Sequence, residues 1–197
     1  MILTEEQKTK NLHYWITGLN SLGVETDCIV SKYGNLLLNA PLSEQFNTGA
    51  AYEGALIDKS FRFSKVAKWF NDILPTELQQ DKNKITKVCL LASVGKGVMF
   101  TPCTEKWKND RGILWDYTDR HSALRTNQLT LFILSQCGIV LDEIEYEAID
   151  NLYSLDDDKY IKDFSGLLAS LIRTAYRFMW EESKSLAKVS IKNNNMF

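Results

Sequence analysis

Few residues in this chain have the type and spacing that chemistry requires. Ser93 lies in the apolar run Val88-Cys89-Leu90-Leu91-Ala92-Ser93-Val94-Gly95-Lys96. A serine nucleophile needs a histidine base and an exposing turn such as G-x-S-x-G. Neither is recognisable around Ser93, which reads as a small core residue. Gly95-Lys96-Gly97 has the lysine of a phosphate loop. It lacks the upstream glycine, and Gly97 stands where Ser or Thr would hold magnesium. Asp156-Asp157-Asp158 lacks the alternating ligands and closing glutamate of a calcium loop and reads as a solvated loop. The cysteines, Cys28, Cys89, Cys103 and Cys137, form no C-x-x-C pair, and His13 and His121 are the only histidines, so a structural zinc site is not expected. Cys89 and Cys137 sit in apolar runs and read as small hydrophobes. Such spacing suits a reducing compartment.

Composition narrows the function classes further. A chain of 197 residues with 45% hydrophobic content can bury one sizeable core, and a single domain over 1–197 is expected. A net charge of -2 gives no electrostatic drive toward nucleic acid. Lys106-Trp107-Lys108 is a local basic cluster, but Glu105 and Asp110 flank it, as in a solvated turn. No apolar run approaches the roughly 18 residues that span a bilayer. Met1-Ile2-Leu3-Thr4-Glu5-Glu6 is acidic and lacks a secretory n-region. The expectation is a soluble, cytoplasmic protein with no membrane contact.

The elements that would position these residues are mostly helical. Thr4 and Gln7 form a capping box for a first helix to about Leu19, with Leu12, Trp15, Ile16 and Leu19 on one face. Between Glu25 and Leu38, Tyr33-Gly34-Asn35 breaks the pattern, which predicts a short helix before Ser31 and irregular chain after it. Asn39-Ala40-Pro41 and Asn47-Thr48-Gly49 mark loops. Helical periodicity returns from Tyr52 to Leu74, where Pro75 stops it. Asp81 or Asn83 caps a central helix predicted to end at Gly95. Gly97 to Phe100 and Ile113 to Tyr117 read as two strands, with Lys108-Asn109-Asp110-Arg111-Gly112 as an exposed hairpin tip. Helices follow over about Arg125 to Gln136, from Asp142 to about Tyr153, and from Phe164 to about Lys188. The polar tail, 189–197, is expected to fray. Trp69, Phe70, Phe178 and Trp180 read as core, and Trp107 and Trp115, beside the hairpin turn, read equally as an exposed partner contact or as packing of the hairpin onto the domain.

Five segments, taken in order, resemble the HD-domain superfamily of metal-dependent phosphohydrolases, and most closely a group common in gut bacteria and their phages. The first is Asn39-Ala40-Pro41 with Tyr52-Glu53-Gly54-Ala55-Leu56-Ile57-Asp58-Lys59-Ser60, similar to a helix start that ends "EHS" in the family. Cys89 to Lys96 is similar to "ALLHDLxK", and Trp107 to Trp115 to the family's "xKNxxGxW" turn. Leu141 to Tyr153 is similar to "LTDEEALAIRWHM", and Leu167 to Tyr176 to the closing "PLATLIHxAD". The likeness covers about Leu36 to Arg177, and it implies a helical bundle with a small β-hairpin insertion, its core about 36–188.

An HD site uses imidazoles and carboxylates to bind divalent ions and acidify a water that attacks a phosphoester. Here the resemblance places Lys59, Ala92, Ser93, Arg125, Leu152 and Tyr176 at the family's ligand positions, while Lys96 matches a family lysine that meets phosphate. His121, four residues before Arg125, reads as a turn histidine. What the resemblance implies is a degenerate, catalytically inactive member with no cofactor or metal and no catalytic residue. Its expected role is binding or assembly, with a protein partner or through self-association, in the cytoplasm or, if phage-encoded, in a virion. An alternative expectation is a nucleotide or phosphate binder using Lys59, Lys96 and Arg125 without hydrolysis. A phosphohydrolase with a rebuilt site ranks last.

Overall fold

A computed structural model describes residues 2–118, 124–153 and 166–194. His121 and Asp156-Asp157-Asp158 lie outside the described residues. The fold is mainly α-helical with one two-stranded antiparallel hairpin. Among the described residues, no helix is long and apolar enough to cross a membrane.

Helix α1 (Glu5–Ser21) starts at the expected capping box: Gln7 N donates to Thr4 Oγ1 at 3.2 Å and Thr4 N to Gln7 Oε1 at 2.9 Å. Its buried Trp15 donates from Nε1 to the Leu90 carbonyl at 2.9 Å. Lys8, on the same helix, is buried too. Its ammonium reaches Asn39 Oδ1 at 2.7 Å, Glu53 at 2.8 Å and Glu5 at 2.6 Å, which ties α1 to the segment before α3.

Helix α2 (Asp27–Asn39) runs straight through Gly34, contrary to the expected break at Tyr33-Gly34-Asn35. The buried Ile29 and Leu37 outweigh the glycine's helix penalty of about 1 kcal/mol. Helix α3 (Ala55–Asp72) packs on α4 (Lys82–Leu91) and on the long α8 (Leu167–Asn194). Asp81 caps α4 by accepting from Asn83 N at 2.8 Å. Helix α4 ends at Leu91, short of Gly95, and a 3₁₀ turn (Val94–Val98) follows. The cause is a side chain from α6 (Thr126–Gln136). Thr130 Oγ1 accepts from Gly95 N at 3.0 Å and shares its one proton between the Thr126 carbonyl at 2.9 Å and the Ala92 carbonyl at 3.2 Å, taking over groups that another helical turn would use.

Strands β1 (Phe100–Pro102) and β2 (Trp115–Tyr117) pair Phe100 with Tyr117, Thr101 with Asp116 and Pro102 with Trp115. Gly97 to Met99 belong to the 3₁₀ turn and its cap rather than to a strand, and a single helical turn, α5 (Lys106–Asn109), lies between the strands. Helix α7 (Glu143–Asp150) begins at a capping box of Asp142 and Glu145. Helix α8 continues beyond Lys188 into the stretch expected to fray.

Two aromatic expectations are corrected. Trp69 is 54% exposed and Phe178 45% exposed, each on the outer face of its helix, so these rings are not core. Trp115 is buried, with Nε1 donating to the Ala51 carbonyl at 2.9 Å, whereas Trp107 is exposed on the hairpin arm. The cysteine reading changes as well. Cys28 and Cys137 are joined in a disulfide, with Cα atoms 5.3 Å apart, so Cys137 is a cross-link rather than a small hydrophobe, and the cysteines do not support the expected reducing compartment. Cys89 and Cys103 are free and buried.

Candidate functional site

The end of α4, the 3₁₀ turn after it, the end of α7 and the middle of α8 meet at the centre of the fold. Ala92 and Ser93 are buried there, as are Leu152 and Tyr176. The structure therefore gathers four of the six positions that the resemblance marks as former ligands. None of the four offers an imidazole or a carboxylate.

What fills the space is a chain of polar contacts inside an aromatic box. Ser93 Oγ and the Tyr153 hydroxyl share a hydrogen bond of 2.9 Å. The Tyr153 and Tyr176 rings meet edge to face with centroids 5.3 Å apart. Lys96 Nζ donates to the Leu42 carbonyl at 3.0 Å and to the Tyr176 hydroxyl at 3.4 Å. The same ammonium lies 5.1 Å from the Tyr153 ring centroid and 5.6 Å from that of Trp180. Phe63 of α3 closes the box with its ring edge on Tyr176, centroids 5.4 Å apart.

Burial sets the electrostatics of this cluster. It lowers the Lys96 ammonium from the usual 10.5 to about 8, against a smaller opposing pull from Glu44. Keeping that charge at neutral pH costs about 3 kcal/mol. Aromatic faces offset part of the cost, roughly 0.5–2 kcal/mol per contact. Burial also pushes Tyr153 up to about 12 and Tyr176 well above its ordinary value. Both phenols are thus neutral donors at neutral pH, and neither can serve Ser93 as a base.

The phosphate-loop reading of Gly95-Lys96-Gly97 fails on geometry as well. Gly95 N is already bonded to Thr130, and Lys96 points inward to Leu42 and Tyr176. Among the described residues, no three His, Cys, Asp or Glu side chains gather as ligands of one ion would.

The remaining two positions lie elsewhere. Arg125 is the exposed residue preceding α6, its backbone N donating to Gln128 Oε1 at 3.0 Å. Lys59, on α3, is half-buried and lines a groove of about 770 Å³ between the Phe46–Thr48 turn, the second strand and the C-terminal half of α8. Gly49 makes that groove wall. It sits at φ 68°, and a Cβ there would collide with the Ser183 carbonyl of α8.

Sequence reasoning read Trp180 only as core and did not single out Tyr153, the two aromatic residues that complete the box. Tyr153 is one residue past Leu152, and Trp180 lies one helical turn after Tyr176, a spacing that stacks two rings on one face. That spacing was the available signal. The chain matches no protein-family model, no curated protein and no solved structure in the comparisons made with each.

Proposed function

We propose that this chain is a degenerate HD-like protein that has given up metal-dependent hydrolysis and works as a binding or assembly protein, in the cytoplasm or in a phage particle. The observation that carries this reading is the cluster of Ser93, Tyr153, Tyr176 and Lys96, whose side chains engage one another through hydrogen bonds and ring contacts. A phosphoester and a metal-bound water would have to displace Tyr176 and Lys96 from the contacts they make.

The test is metal analysis of the purified protein together with manganese-supported phosphodiesterase and nucleotidase assays. The expected result is no stoichiometric metal and no turnover. Turnover abolished by a chelator, with bound metal, would overturn the reading in favour of a rebuilt hydrolase. Size measurement and pull-down from the native source address the assembly role, and a strict monomer without a partner would count against it.

A second reading, a phosphate or nucleotide binder, draws on Lys59, whose ammonium has no hydrogen-bond or ion-pair partner among the described residues. Lys96 adds little to it, because its ammonium is committed to Leu42 and Tyr176. A thermal-shift screen of nucleotides checks this reading through the stabilisation that any native-state ligand brings.

A further inference from the structure

The groove beside Lys59 has a feature that the cluster around Lys96 lacks: a charged group with no hydrogen-bond or ion-pair partner among the described residues. The other polar side chains of its lining are spoken for. The Tyr52 hydroxyl donates to Asp58, and Glu53 accepts from Lys8 at 2.8 Å. Trp115 Nε1 donates to the Ala51 carbonyl at 2.9 Å, and Ser183 Oγ to the Met179 carbonyl at 2.9 Å.

Lys59 differs. Its ammonium stands 6.0 Å from the Tyr52 ring centroid and makes no hydrogen bond or ion pair among the described residues. The carboxylates nearest in charge are engaged elsewhere, Asp58 by Tyr52 and Glu182 by a two-pronged contact with Arg62. Burial accordingly holds the Lys59 ammonium below its ordinary value. A half-buried cation without an acceptor is costly to keep unless something supplies one.

The rest of the lining is apolar, with Phe46, Leu114 and Trp115 on one side and Leu186 and Ala187 of α8 on the other. About 770 Å³ falls within the size range of small-molecule sites. One cation, with the Glu53 carboxylate in the same lining, suits a single negative charge better than a polyphosphate.

We propose that this groove binds a small single-headed anionic amphiphile, with its carboxylate on the Lys59 ammonium and its hydrocarbon tail along the Phe46, Trp115 and Leu186 walls. The inference goes beyond the binding role proposed above and needs neither the family resemblance nor the filled centre. Its failure would leave the metal and turnover tests untouched.

The test is calorimetric titration with dodecanoate below its micelle concentration, beside dodecan-1-ol and dodecyltrimethylammonium as head-group controls. Dodecanoate is expected to saturate a single site and to bind about tenfold tighter than the alcohol, the size of one charge-assisted contact. Lys59→Met should bring acid and alcohol to the same affinity. Leu186→Glu, at a position 63% exposed and so harmless to folding, should weaken dodecanoate by about tenfold and leave the alcohol less affected.

Absence of saturable dodecanoate binding would overturn the proposal. So would equal affinity for acid and alcohol in the unmodified protein, or a preference for the acid that survives Lys59→Met. Should Lys59→Met not fold, as judged by its melting transition, Leu186→Glu decides: an unchanged dodecanoate affinity overturns the site.

Discussion

Reducing the Cys28–Cys137 disulfide is expected to cost about 4 kcal/mol of folding stability and to lower the melting temperature by about 10 °C. Cys28 lies in the first turn of α2 and Cys137 is the C-cap of α6, so the bond clamps two helices from opposite halves of the chain. The bridged cysteines are 109 residues apart in sequence, and closing so long a loop removes much freedom from the unfolded chain. The Cα separation of 5.3 Å lies within the ordinary range for disulfides, so the bond is accommodated without moving the backbone. Thermal melts with and without a thiol reductant measure the effect. A Cys28→Ser/Cys137→Ser double variant should reproduce the loss and be indifferent to reductant. A change below about 1 kcal/mol on reduction would mean that the pair does not cross-link the native fold. The free thiols should not confuse the readout, because Cys89 is buried and burial pushes its thiol well above the ordinary value.

Gly95→Ala is expected to destabilise the fold by about 3 kcal/mol. A methyl group there would stand 2.7 Å from both the Thr126 carbonyl oxygen and Thr130 N, and 2.8 Å from Thr130 Oγ1. Two of those atoms are backbone at the start of α6 and cannot swing aside. Relief requires pushing α6 away from the 3₁₀ turn. That movement strains the Gly95–Thr130 and Thr130–Ala92 bonds that end α4, and it disturbs the turn carrying Lys96. Gly34→Ala provides the opposite sign. Its added methyl would meet only Val30 Cγ1 at 3.5 Å, an ordinary contact, and the helical position gains up to about 1 kcal/mol. Urea unfolding of the two variants beside the parent measures both. Equal effects would show that the space around residue 95 is not as tight as the geometry makes it.

Much of the fold was legible in local chemistry. Thr4 with Gln7, Asp81, and Asp142 each announced a helix start that the structure realises, because a cap is satisfied within three residues of chain. The hairpin was legible from turn residues between two apolar stretches, though its first strand starts at Phe100 rather than Gly97. Two of the misses share a cause: they depend on a partner far away in sequence. Thr130 ends α4 from 38 residues downstream. Cys28 finds Cys137 from 109 residues away. Gly34 was read by its propensity, which the packing of Ile29 and Leu37 overrides. Around the end of α4, the resemblance singled out Ala92, Ser93, Leu152 and Tyr176, which the structure buries, but not the side chains that pack beside them. The Tyr176–Trp180 stack was legible in their helical spacing, but the inward turn of Lys96 onto Tyr153 and Trp180 follows from how α7 and α8 cross the end of α4.

A filled centre is tested most directly by the protonation of Lys96, followed through its side-chain carbon and nitrogen resonances as the pH is raised, with Lys96→Arg to assign the signal. Enclosure among Leu42, Tyr153, Tyr176 and Trp180 gives an expected midpoint of about 8. A midpoint near the ordinary 10.5 would mean that the ammonium stands in water and that the pocket around it is open.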